Sequence, residues 1–214
     1  MDSRQILAAD VFYNRTGRKY VYNITSIENV PSIIENGILC FNLAGKIPHN
    51  SIAIPAVQER REQVTIPNGL KLHSYANLYF DYNNPMLYSR KDVADSLCVL
   101  AVSSLILNDP RCIVSDRNAA TALAKFYPAV DGVQQINFKK VLEQYWVHDD
   151  QFEYANHKAI KCAEILIPYS VSYEYVVEAC VVNQKAKSTL LNAGFDKKIT
   201  VKPSVFYEQG GAKR

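Results

Sequence analysis

The chain has 214 residues, of which 48% are hydrophobic and 21% are charged, and its formal net charge is +3. This length suits one domain with a sizeable core, and the composition is that of an ordinary globular protein. The small positive charge permits an anionic partner but falls short of the strong basic footprint that indicates nucleic-acid binding. Neither a charged-then-apolar leader nor an apolar run of about eighteen residues is present. We therefore expect a cytoplasmic protein without a membrane span.

Five cysteines are spread along the chain without close pairs. Most have apolar neighbours, which favours reduced core residues over a disulfide framework or a zinc site. They are Cys40, Cys98, Cys112, Cys162 and Cys180. No other residues have the spacing of metal ligands, so we expect no bound metal.

Residues 20–39 are the most informative stretch. Apolar alternation predicts a short strand through Ile24, after which Ser26 is suited to cap a helix and Gly37 to end it. Polar side chains fall at the end of this strand and the start of this helix, where backbone N–H groups and the helix dipole favour an anionic ligand. These side chains are Asn23, Thr25 and Asn29. The alternative is that they only cap and turn the chain.

Two features in the middle of the chain suit a ligand cleft. Arg60 and Arg61 are consecutive on a predicted helical turn, where they either bind an anion or form a solvated charged face. In the aromatic stretch 75–90, strand alternation places Tyr79 opposite Leu78, so that its ring could stack on a nicotinamide or a base. The alternative is that this aromatic cluster belongs to the core.

Residues 127–158 are polar and aromatic, and we expect short helices there in a mobile excursion from the core. Cations and flat rings suit single-stranded nucleic acid, because rings stack on bases and cations offset phosphates. The candidate residues are Lys139, Lys140, Tyr145, Trp146 and His148. Alternatively, Tyr145 and Trp146 only pin the excursion to the core. Just before this segment, we predict a capped helix over residues 119–126.

Residues 159–168 predict a strand whose alternation places Glu164 in an otherwise apolar row with Cys162 and Leu166. A carboxylate inside a strand needs an explanation, because burial of an unpaired charge is costly. Either Glu164 reaches solvent at a sheet edge, or a cleft holds it as a hydrogen-bond acceptor or a base. The other predicted elements are a buried strand at 97–102, a strand at 175–182, a helix at 184–192 and a frayed tail at 210–214.

Taken in order, these motifs resemble those of the DarT family of bacterial DNA ADP-ribosyltransferase toxins. The family's opening pattern is similar to Tyr22, Asn23, Thr25, Ile27, Asn29, Val30, Ile33 and residues 37–39. Its later motifs are similar to Arg60 and Arg61, to Tyr79, Phe80 and residues 85–88, and to residues 163–165. Family members commonly have histidine where this chain has Asn23, which cannot carry a proton near neutral pH. The chain therefore resembles a divergent branch.

The resemblance implies an α+β ADP-ribosyltransferase fold in one domain that spans residues 1–214. A split, mixed-to-antiparallel β core with flanking helices would hold NAD, the co-substrate, in a cleft. Glu164 would act as the catalytic base and electrostatic partner of the ribose. Arg61, with Arg60 as second choice, would fix the NAD pyrophosphate or ribose. The residues expected to bind the cofactor are Asn23, Thr25, Asn29, Gly37, Arg61 and Tyr79.

The resemblance also implies partners. Single-stranded DNA would lie across residues 127–158, and the modified base would be guanine or thymine, with Asn23 favouring guanine. The activity would poison its host, which implies an antitoxin of macrodomain or NADAR type that removes the modification. We expect a monomer. We also expect Glu164→Ala to abolish transfer while leaving NAD binding and folding largely intact.

Two other readings stay open from the sequence alone. The chain could transfer ADP-ribose or phosphate to RNA with the same cleft, in which case RNA would be modified in place of DNA. It could instead be a non-catalytic nucleic-acid-binding module, which would bind NAD without turnover.

Overall fold

The structure is a computed structural model that describes residues 7–207, so the predicted tail at 210–214 lies outside it. One mostly antiparallel sheet dominates, in the order β10-β9-β4-β1-β3-β7-β5-β6, and β2 pairs with β8 in a separate ribbon. β10 runs parallel to β9. The strands are β1 Tyr20–Ser26, β2 Ile38–Leu39, β3 Tyr75–Tyr79, β4 Leu97–Ser103, β5 Ile113–Ser115, β6 Phe126–Pro128, β7 Glu164–Pro168, β8 Ser170–Val171, β9 Val176–Val181 and β10 Lys198–Val201.

Helices flank this sheet on both sides and contribute the walls of its cavities. The α-helices of residues 7–207 are α1 Ala8–Thr16, α2 Val30–Asn36, α3 Phe41–Ala44, α4 Pro55–Glu62, α5 Pro85–Tyr88, α6 Ala129–Gln135, α7 Phe138–Leu142, α8 Gln151–Lys161 and α9 Gln184–Asn192. Short 3-10 turns join several of these elements, including one at Ile27–Asn29 that Ser26 caps by accepting from the Glu28 N–H.

The sheet is divided between β1 and β3. β1 pairs with β4 along its whole length and β3 pairs with β7 along its whole length, but β1 and β3 meet only at Tyr22 and Tyr79. Beyond this register pair the two strands diverge, and a gap opens between them. The Asn23 side chain spans the gap, with Nδ2 donating to the Asn77 carbonyl oxygen at 3.3 Å. The predicted split β core is thus confirmed, and its two halves stay joined at one point.

Both faces of the sheet are covered by apolar side chains. On one face, Val21 and Leu78 join the largest buried cluster together with Phe12 of α1. On the other face, Ile24 belongs to a smaller cluster that contains Trp146. Full burial of one such side chain stabilises the fold by about 1.5–3 kcal/mol. Apolar residues on both faces of β1 therefore fix the strand that borders the gap.

Several predicted elements are present where they were expected. The buried strand at 97–102 is β4, the strand at 175–182 is β9, and the helix at 184–192 is α9. Asn183 caps α9 by accepting a hydrogen bond from the Ala186 N–H at 2.9 Å. Gly194 follows the helix with a φ of +86°, a left-handed conformation that favours glycine.

The predicted strand at 159–168 is wrong in its first half. Residues 151–161 form α8, and β7 begins only at Glu164. Asp150 starts the helix by accepting a hydrogen bond from the Glu153 N–H at 2.7 Å. The alternation that predicted a strand is genuine only from Glu164 onward, because the preceding residues have helical spacing of their buried side chains.

Much of the segment 127–158 packs against the rest of the chain. α6 and α7 place Val133, Phe138 and Val141 in the largest buried cluster. The expected short helices are present, whereas the expected mobility of this segment stays a prediction. Across residues 7–207, no helix is long and apolar enough to cross a membrane.

Candidate active site

A cleft with a volume of about 480 Å³ opens where β1 and β3 diverge. This volume lies in the range of about 300–1,000 Å³ that is typical of small-molecule sites. Side chains of α4, α5 and α8 form its walls together with residues 49–54, which we call the strap. The split in the sheet therefore opens into a cavity of ligand size.

A buried ion pair lies next to the cleft: Arg61 lines the cleft, and Glu164, the first residue of β7, is not among its lining residues. Arg61, in the last turn of α4, donates from Nη1 to both carboxylate oxygens of Glu164 at 3.0 Å. Glu164 is only 1% exposed, and Arg61 is 7% exposed and lines the cleft. The neighbouring Arg60 is exposed, because consecutive residues of a helix point in different directions. The structure thus brings Arg61, rather than Arg60, together with Glu164.

The Glu164 carboxylate also anchors the loop at 116–125. Its Oε1 accepts a hydrogen bond from the Ala119 N–H at 2.9 Å. The Asn118 N–H donates to the Ala159 carbonyl oxygen at 2.9 Å, which ties the same loop to α8. The helix predicted over 119–126 is wrong: residues 119–123 form turns, and strand β6 begins at Phe126.

Tyr79 lies beside Glu164 as its direct partner between β3 and β7, and its side chain lines the cleft. Burial raises the pKa of Tyr79 well above its usual value, and the Glu164 carboxylate raises it further. The Tyr79 phenol therefore stays protonated across the physiological range and offers the cleft an O–H group. This placement agrees with the prediction that Tyr79 faces a cleft.

Asn23 presents an unsatisfied acceptor in the cleft. Its Nδ2 is held by the Asn77 carbonyl oxygen, while its buried Oδ1 has no hydrogen-bond partner among residues 7–207. A buried polar atom without a partner costs about 1–3 kcal/mol. The oxygen is therefore suited to accept an N–H or O–H group of a bound ligand.

Asn29 also lies at the cleft, but its amide is occupied by the strap. Oδ1 accepts from the Asn50 N–H at 2.7 Å, and Nδ2 donates to the Asn50 carbonyl oxygen at 2.8 Å. Nδ2 also donates to Thr25 Oγ1 at 3.2 Å, which places Thr25 behind Asn29 rather than in the cleft wall. These two predicted cofactor residues therefore hold the strap in place.

The structure does not bring Gly37 to the cleft. Gly37 adopts a φ of +77°, and a Cβ atom there would collide with the Val171 carbonyl oxygen of β8. Glycine is required at this position by the close approach of two backbones. Its prediction as a cofactor residue is therefore not supported.

Sequence reasoning missed a second group in the cleft wall. His73 stacks on Phe41, with ring centroids 4.2 Å apart, and its Nε2 lies 3.1 Å from Gln58 Oε1. Burial lowers the pKa of His73, and the Arg61 guanidinium lowers it further. His73 is therefore a neutral ring near pH 7. No local pattern pointed to it, because Phe41, Gln58 and His73 come together only through the fold.

The predicted nucleic-acid residues are divided by the structure. Lys139 and Lys140 lie on α7, which contacts α8 through the Lys140 carbonyl oxygen and the buried His157, 3.0 Å away. The cleft is instead lined by Lys158 from another face of α8, a cation that sequence reasoning missed. Lys139 and Lys140 are therefore not brought to the cleft.

The aromatic members of that set lie beside α8. Trp146 is only 8% exposed and packs with Tyr88 and Tyr207, whereas Tyr145 is 47% exposed. His148 Nε2 lies 2.7 Å from Nδ1 of the buried His157, so one edge of the His148 ring is held by the protein. Tyr145 is therefore accessible, as a base-stacking residue must be, whereas Trp146 is anchored in the protein. Their contact with nucleic acid stays a prediction.

Within residues 7–207, no three His, Cys, Asp or Glu side chains lie together in an arrangement that could hold a metal ion.

The split sheet and the cleft identify the class. Two solved structures share this fold. The first is Thermus sp. 2.9 DarT in complex with ADP-ribosylated ssDNA, with a TM-score of 0.77 and 22% identity, and the match covers 88% of this chain and 96% of that chain. The second is Thermosipho africanus DarTG in complex with ADP-ribose, with a TM-score of 0.76 and 26% identity, and the match covers 89% of this chain and 52% of that chain. The chain has the ADP-ribosyltransferase fold that its sequence predicts.

The family follows from the sequence comparison. The family model described as "ssDNA thymidine ADP-ribosyltransferase, DarT" matches residues 22–207. This chain belongs to the DarT family of DNA ADP-ribosyltransferases. It is 30% identical over 197 residues to a DNA ADP-ribosyl transferase–DNA ADP-ribosyl glycohydrolase fusion protein of Thermosipho africanus, of which it spans 47%. It is 24% identical over 182 residues to a DNA ADP-ribosyl transferase of a Thermus species, of which it spans 85%.

Proposed function

We propose that this chain transfers ADP-ribose from NAD to thymine in single-stranded DNA. The observation that carries the proposal is the buried Arg61–Glu164 pair at the cleft of a split sheet. The matching family model, whose description names single-stranded DNA and thymidine, supports the choice of acceptor. A Thermus sp. 2.9 DarT has been solved in complex with NAD+, which supports the choice of donor.

The cleft suits NAD by size and by chemistry. Arg61 uses one of its nitrogens for Glu164, and Arg60 and Lys158 also line the cleft, so cations are available for a pyrophosphate. Asn23 Oδ1 is a buried acceptor that lacks a donor, as a ribose hydroxyl or a carboxamide would supply. Tyr79, which stays protonated, also lines the cleft and can act as a donor.

The reaction breaks the bond between the ribose carbon and nicotinamide, and the bonding electrons leave with nicotinamide. Glu164 has two tasks in this step: its negative charge stabilises the positive charge that develops on the ribose, and it accepts the proton of the attacking base. In thymidine, N1 carries the deoxyribose, so N3–H is the nitrogen that can form the new bond and lose a proton. Arg61 holds Glu164 through Nη1 alone, so its other N–H groups can bind the ligand while the pair orients the carboxylate.

An unpaired strand is the appropriate substrate. In a duplex, thymine N3 is engaged in base pairing and the ring is stacked, so an enzyme acting there must first extrude the base. The guanine preference inferred from Asn23 is a competing expectation, and the acceptor base is decided by the experiment below.

We further propose that the chain acts as a toxin that a separate antitoxin counteracts. The Thermosipho africanus relative is a fusion of a DNA ADP-ribosyl transferase with a DNA ADP-ribosyl glycohydrolase, which supports removal of the modification by a partner enzyme. We therefore propose an ADP-ribosyl glycohydrolase, of macrodomain or NADAR type, as the antitoxin.

The proposal is tested by mass spectrometry of short oligonucleotides after incubation with the protein and NAD. We expect an ADP-ribose mass increment on single strands that contain thymine, with release of nicotinamide, and no increment on matched strands in which thymine is replaced by cytosine. Matched duplex and RNA strands serve as controls. An increment that follows guanine would correct the base, an increment confined to RNA would correct the acceptor, and no increment with no nicotinamide release would refute the proposal.

A further inference from the structure

A small groove lies beside the cleft and takes no part in the chemistry proposed above. Its volume is about 100 Å³, and we call it the aromatic groove. It is lined by Tyr88, Gln144, Tyr145, Trp146, Val147, Tyr154 and Tyr207. No acidic side chain is among these lining residues, and five of the seven are aromatic.

The floor of the aromatic groove is rigid. The ring centroids of Tyr88 and Tyr207 are 4.9 Å apart and those of Trp146 and Tyr207 are 6.1 Å apart, both in edge-to-face geometry. Tyr207 also donates a hydrogen bond from its hydroxyl to Asn83. Such a packed floor loses little conformational freedom when a flat ring is placed on it.

The rim of the aromatic groove is open to solvent. Tyr145 is 47% exposed and Val147 is 69% exposed, so apolar surface is presented here without a partner among residues 7–207. Contiguous exposed apolar surface on a soluble protein commonly marks a binding site. The combination of a fixed floor and an accessible Tyr145 ring is suited to enclose one flat ligand.

The same two helices form both the aromatic groove and the cleft. α5 contributes Met86 to the cleft and Tyr88 to the groove, and α8 contributes Lys158 to the cleft and Tyr154 to the groove. Tyr154 and Lys158 lie one turn apart on the same face of α8, about 6 Å along the helix axis, so the groove is within reach of a strand whose acceptor base enters the cleft. Successive bases of a single strand can then occupy adjacent cavities.

Three cations lie over rings of the aromatic groove. One is the buried Lys161, 5.5 Å from the Trp146 ring centroid, which is already paired with Asp81, and the other two are not fully buried. Lys158 Nζ is 5.6 Å from the Tyr154 ring centroid, and Lys91 Nζ is 5.0 Å from the Tyr88 ring centroid. Rings that stack on bases, flanked by cations that offset phosphates, are the usual means of holding single-stranded nucleic acid. This charge complementarity favours a nucleotide over an uncharged apolar peptide segment.

We propose that the aromatic groove binds one unpaired base of the DNA strand, next to the base that accepts ADP-ribose. The inference rests on the proposed function, because it takes the strand that enters the cleft to be DNA. The groove is a subsite that positions the acceptor, and Tyr145 is a positioning residue that closes over the neighbouring base.

The chain provides its own reporter for this subsite. Trp146 is the one tryptophan in the sequence and lies in the floor of the aromatic groove. A base that stacks there should quench tryptophan fluorescence when the protein is titrated with oligonucleotides in the absence of NAD. An abasic site moved along the strand, one position at a time, locates the base responsible.

We expect one position next to the acceptor at which an abasic site abolishes the quenching and weakens binding about tenfold, as is typical for loss of one stacked base. Tyr145→Ala should weaken binding of the intact strand to a similar degree and remove the penalty of the abasic site, and Tyr145→Phe should restore both. Tyr13→Ala is the matched control, since Tyr13 is equally exposed at 47% but lies on α1. It should leave quenching and binding unchanged.

The outcomes separate this inference from the proposed function. Transfer to thymine without any position-dependent quenching, and with Tyr145→Ala equal to Tyr13→Ala, would overturn the subsite while the proposed function stands, and would leave the groove to a protein partner such as the antitoxin. Quenching and a position-dependent penalty without transfer would support the subsite and refute the proposed function. Absence of both binding and transfer would refute both.

Discussion

Two buried ion pairs lie three residues apart in sequence and have different roles. Lys161 pairs with Asp81 in the core, and Glu164 pairs with Arg61 at the cleft. Lys161 is fully buried and satisfies all three ammonium donors, with Asp81 Oδ2 at 3.1 Å and the Val141 and Glu143 carbonyl oxygens each at 2.7 Å. Nothing in that pair is left to bind a ligand.

The Arg61–Glu164 pair differs in what it leaves unsatisfied. Only Nη1 of the Arg61 guanidinium donates to a residue within 7–207, and the side chain borders the cleft. Guanidinium has five N–H donors, so most of its capacity faces the cavity. Burial and pairing alone therefore do not identify a functional site. A functional site is indicated by hydrogen-bonding groups that lie next to a cavity and have no partner in the protein. Asn23 Oδ1 is a second such group.

The largest effect is expected from Glu164→Gln. Loss of the base should lower the rate of transfer about 10³-fold, within the range for a catalytic acid or base. The glutamine oxygen can still accept from Arg61 and the Ala119 N–H, whereas Glu164→Ala would leave both without an acceptor, so glutamine is the better variant. Transfer is measured as the initial rate of oligonucleotide modification, with thermal unfolding as the control for folding. Retained wild-type activity would remove Glu164 from the mechanism.

Asp81→Asn should produce the reverse pattern. It leaves Lys161 buried without a countercharge, and breaking a buried pair costs about 3–5 kcal/mol of stability. The rate of transfer per folded molecule should stay close to wild type, because Asp81 does not line the cleft. Urea unfolding measures the stability. Asp109→Asn, which breaks the exposed pair with Arg111, is the matched control and should cost at most about 1 kcal/mol. Equal costs for the two variants would contradict the assignment.

Arg61→Lys keeps the positive charge but removes the planar set of donors. We expect kcat/KM for NAD to fall about 10–100-fold, as for loss of a hydrogen bond to a charged group. Arg60→Lys is the matched control at the adjacent position and should have less effect, since Arg60 makes no contact with Glu164. Steady-state kinetics at saturating DNA provides the measurement. A larger loss in Arg60→Lys would reverse the choice between the two arginines.

His73 should make stability depend on pH. Burial, followed by the Arg61 charge, lowers the pKa of His73 below its usual value of 6.5. Between the lowered pKa and 6.5 the unfolded chain binds more protons, so the free energy of unfolding decreases as pH falls through this window. His73→Asn should show a shallower decrease between pH 7.5 and 5. Both proteins should change in parallel above pH 7.5, and equal slopes below pH 6.5 would contradict the prediction.

The smallest effect concerns one cation of α8, Lys158, compared with one cation of α7, Lys139. Lys158→Ala should reduce the slope of log K against log salt for single-stranded DNA by about one phosphate contact. Lys139→Ala, on α7 away from the cleft, should leave the slope unchanged. Binding titrations at several salt concentrations provide the comparison. The opposite result would indicate that the DNA strand contacts α7, as the sequence predicted, and not Lys158.

The sequence predicted the parts of the fold that depend on local pattern. Strand β4 and helix α9 were found from apolar runs and caps, and Glu164 from a carboxylate in an apolar row. Arg60 and Arg61 could not be told apart, because which of two adjacent helical residues faces inward depends on how α4 packs. The strand expected at 159–168 begins only at Glu164, and residues 159–161 are the end of α8, because apolar residues occur at a similar density in helices and strands.

The remaining features depend on long-range contacts. Contacts with Gln58 and Phe41 hold His73 at the cleft. The Asn23 Oδ1 atom lacks a hydrogen-bond partner at the point where β1 and β3 diverge. Lys158 and Lys139 have similar local surroundings in the sequence, and only the packing of α7 against α8 decides which one lines the cleft. The spacing of residues along the sequence does not contain these long-range contacts.

The most direct test is a crystal structure of the chain with a hydrolysis-resistant NAD analogue. The account predicts that the analogue occupies the cleft between β1 and β3, with Arg61 donating to it, Asn23 Oδ1 accepting from it and the Glu164 carboxylate near its ribose. The Lys161–Asp81 pair should be unchanged. An analogue bound elsewhere, without contact to Arg61 and with Glu164 away from its ribose, would contradict the central claim that this pair forms the active site.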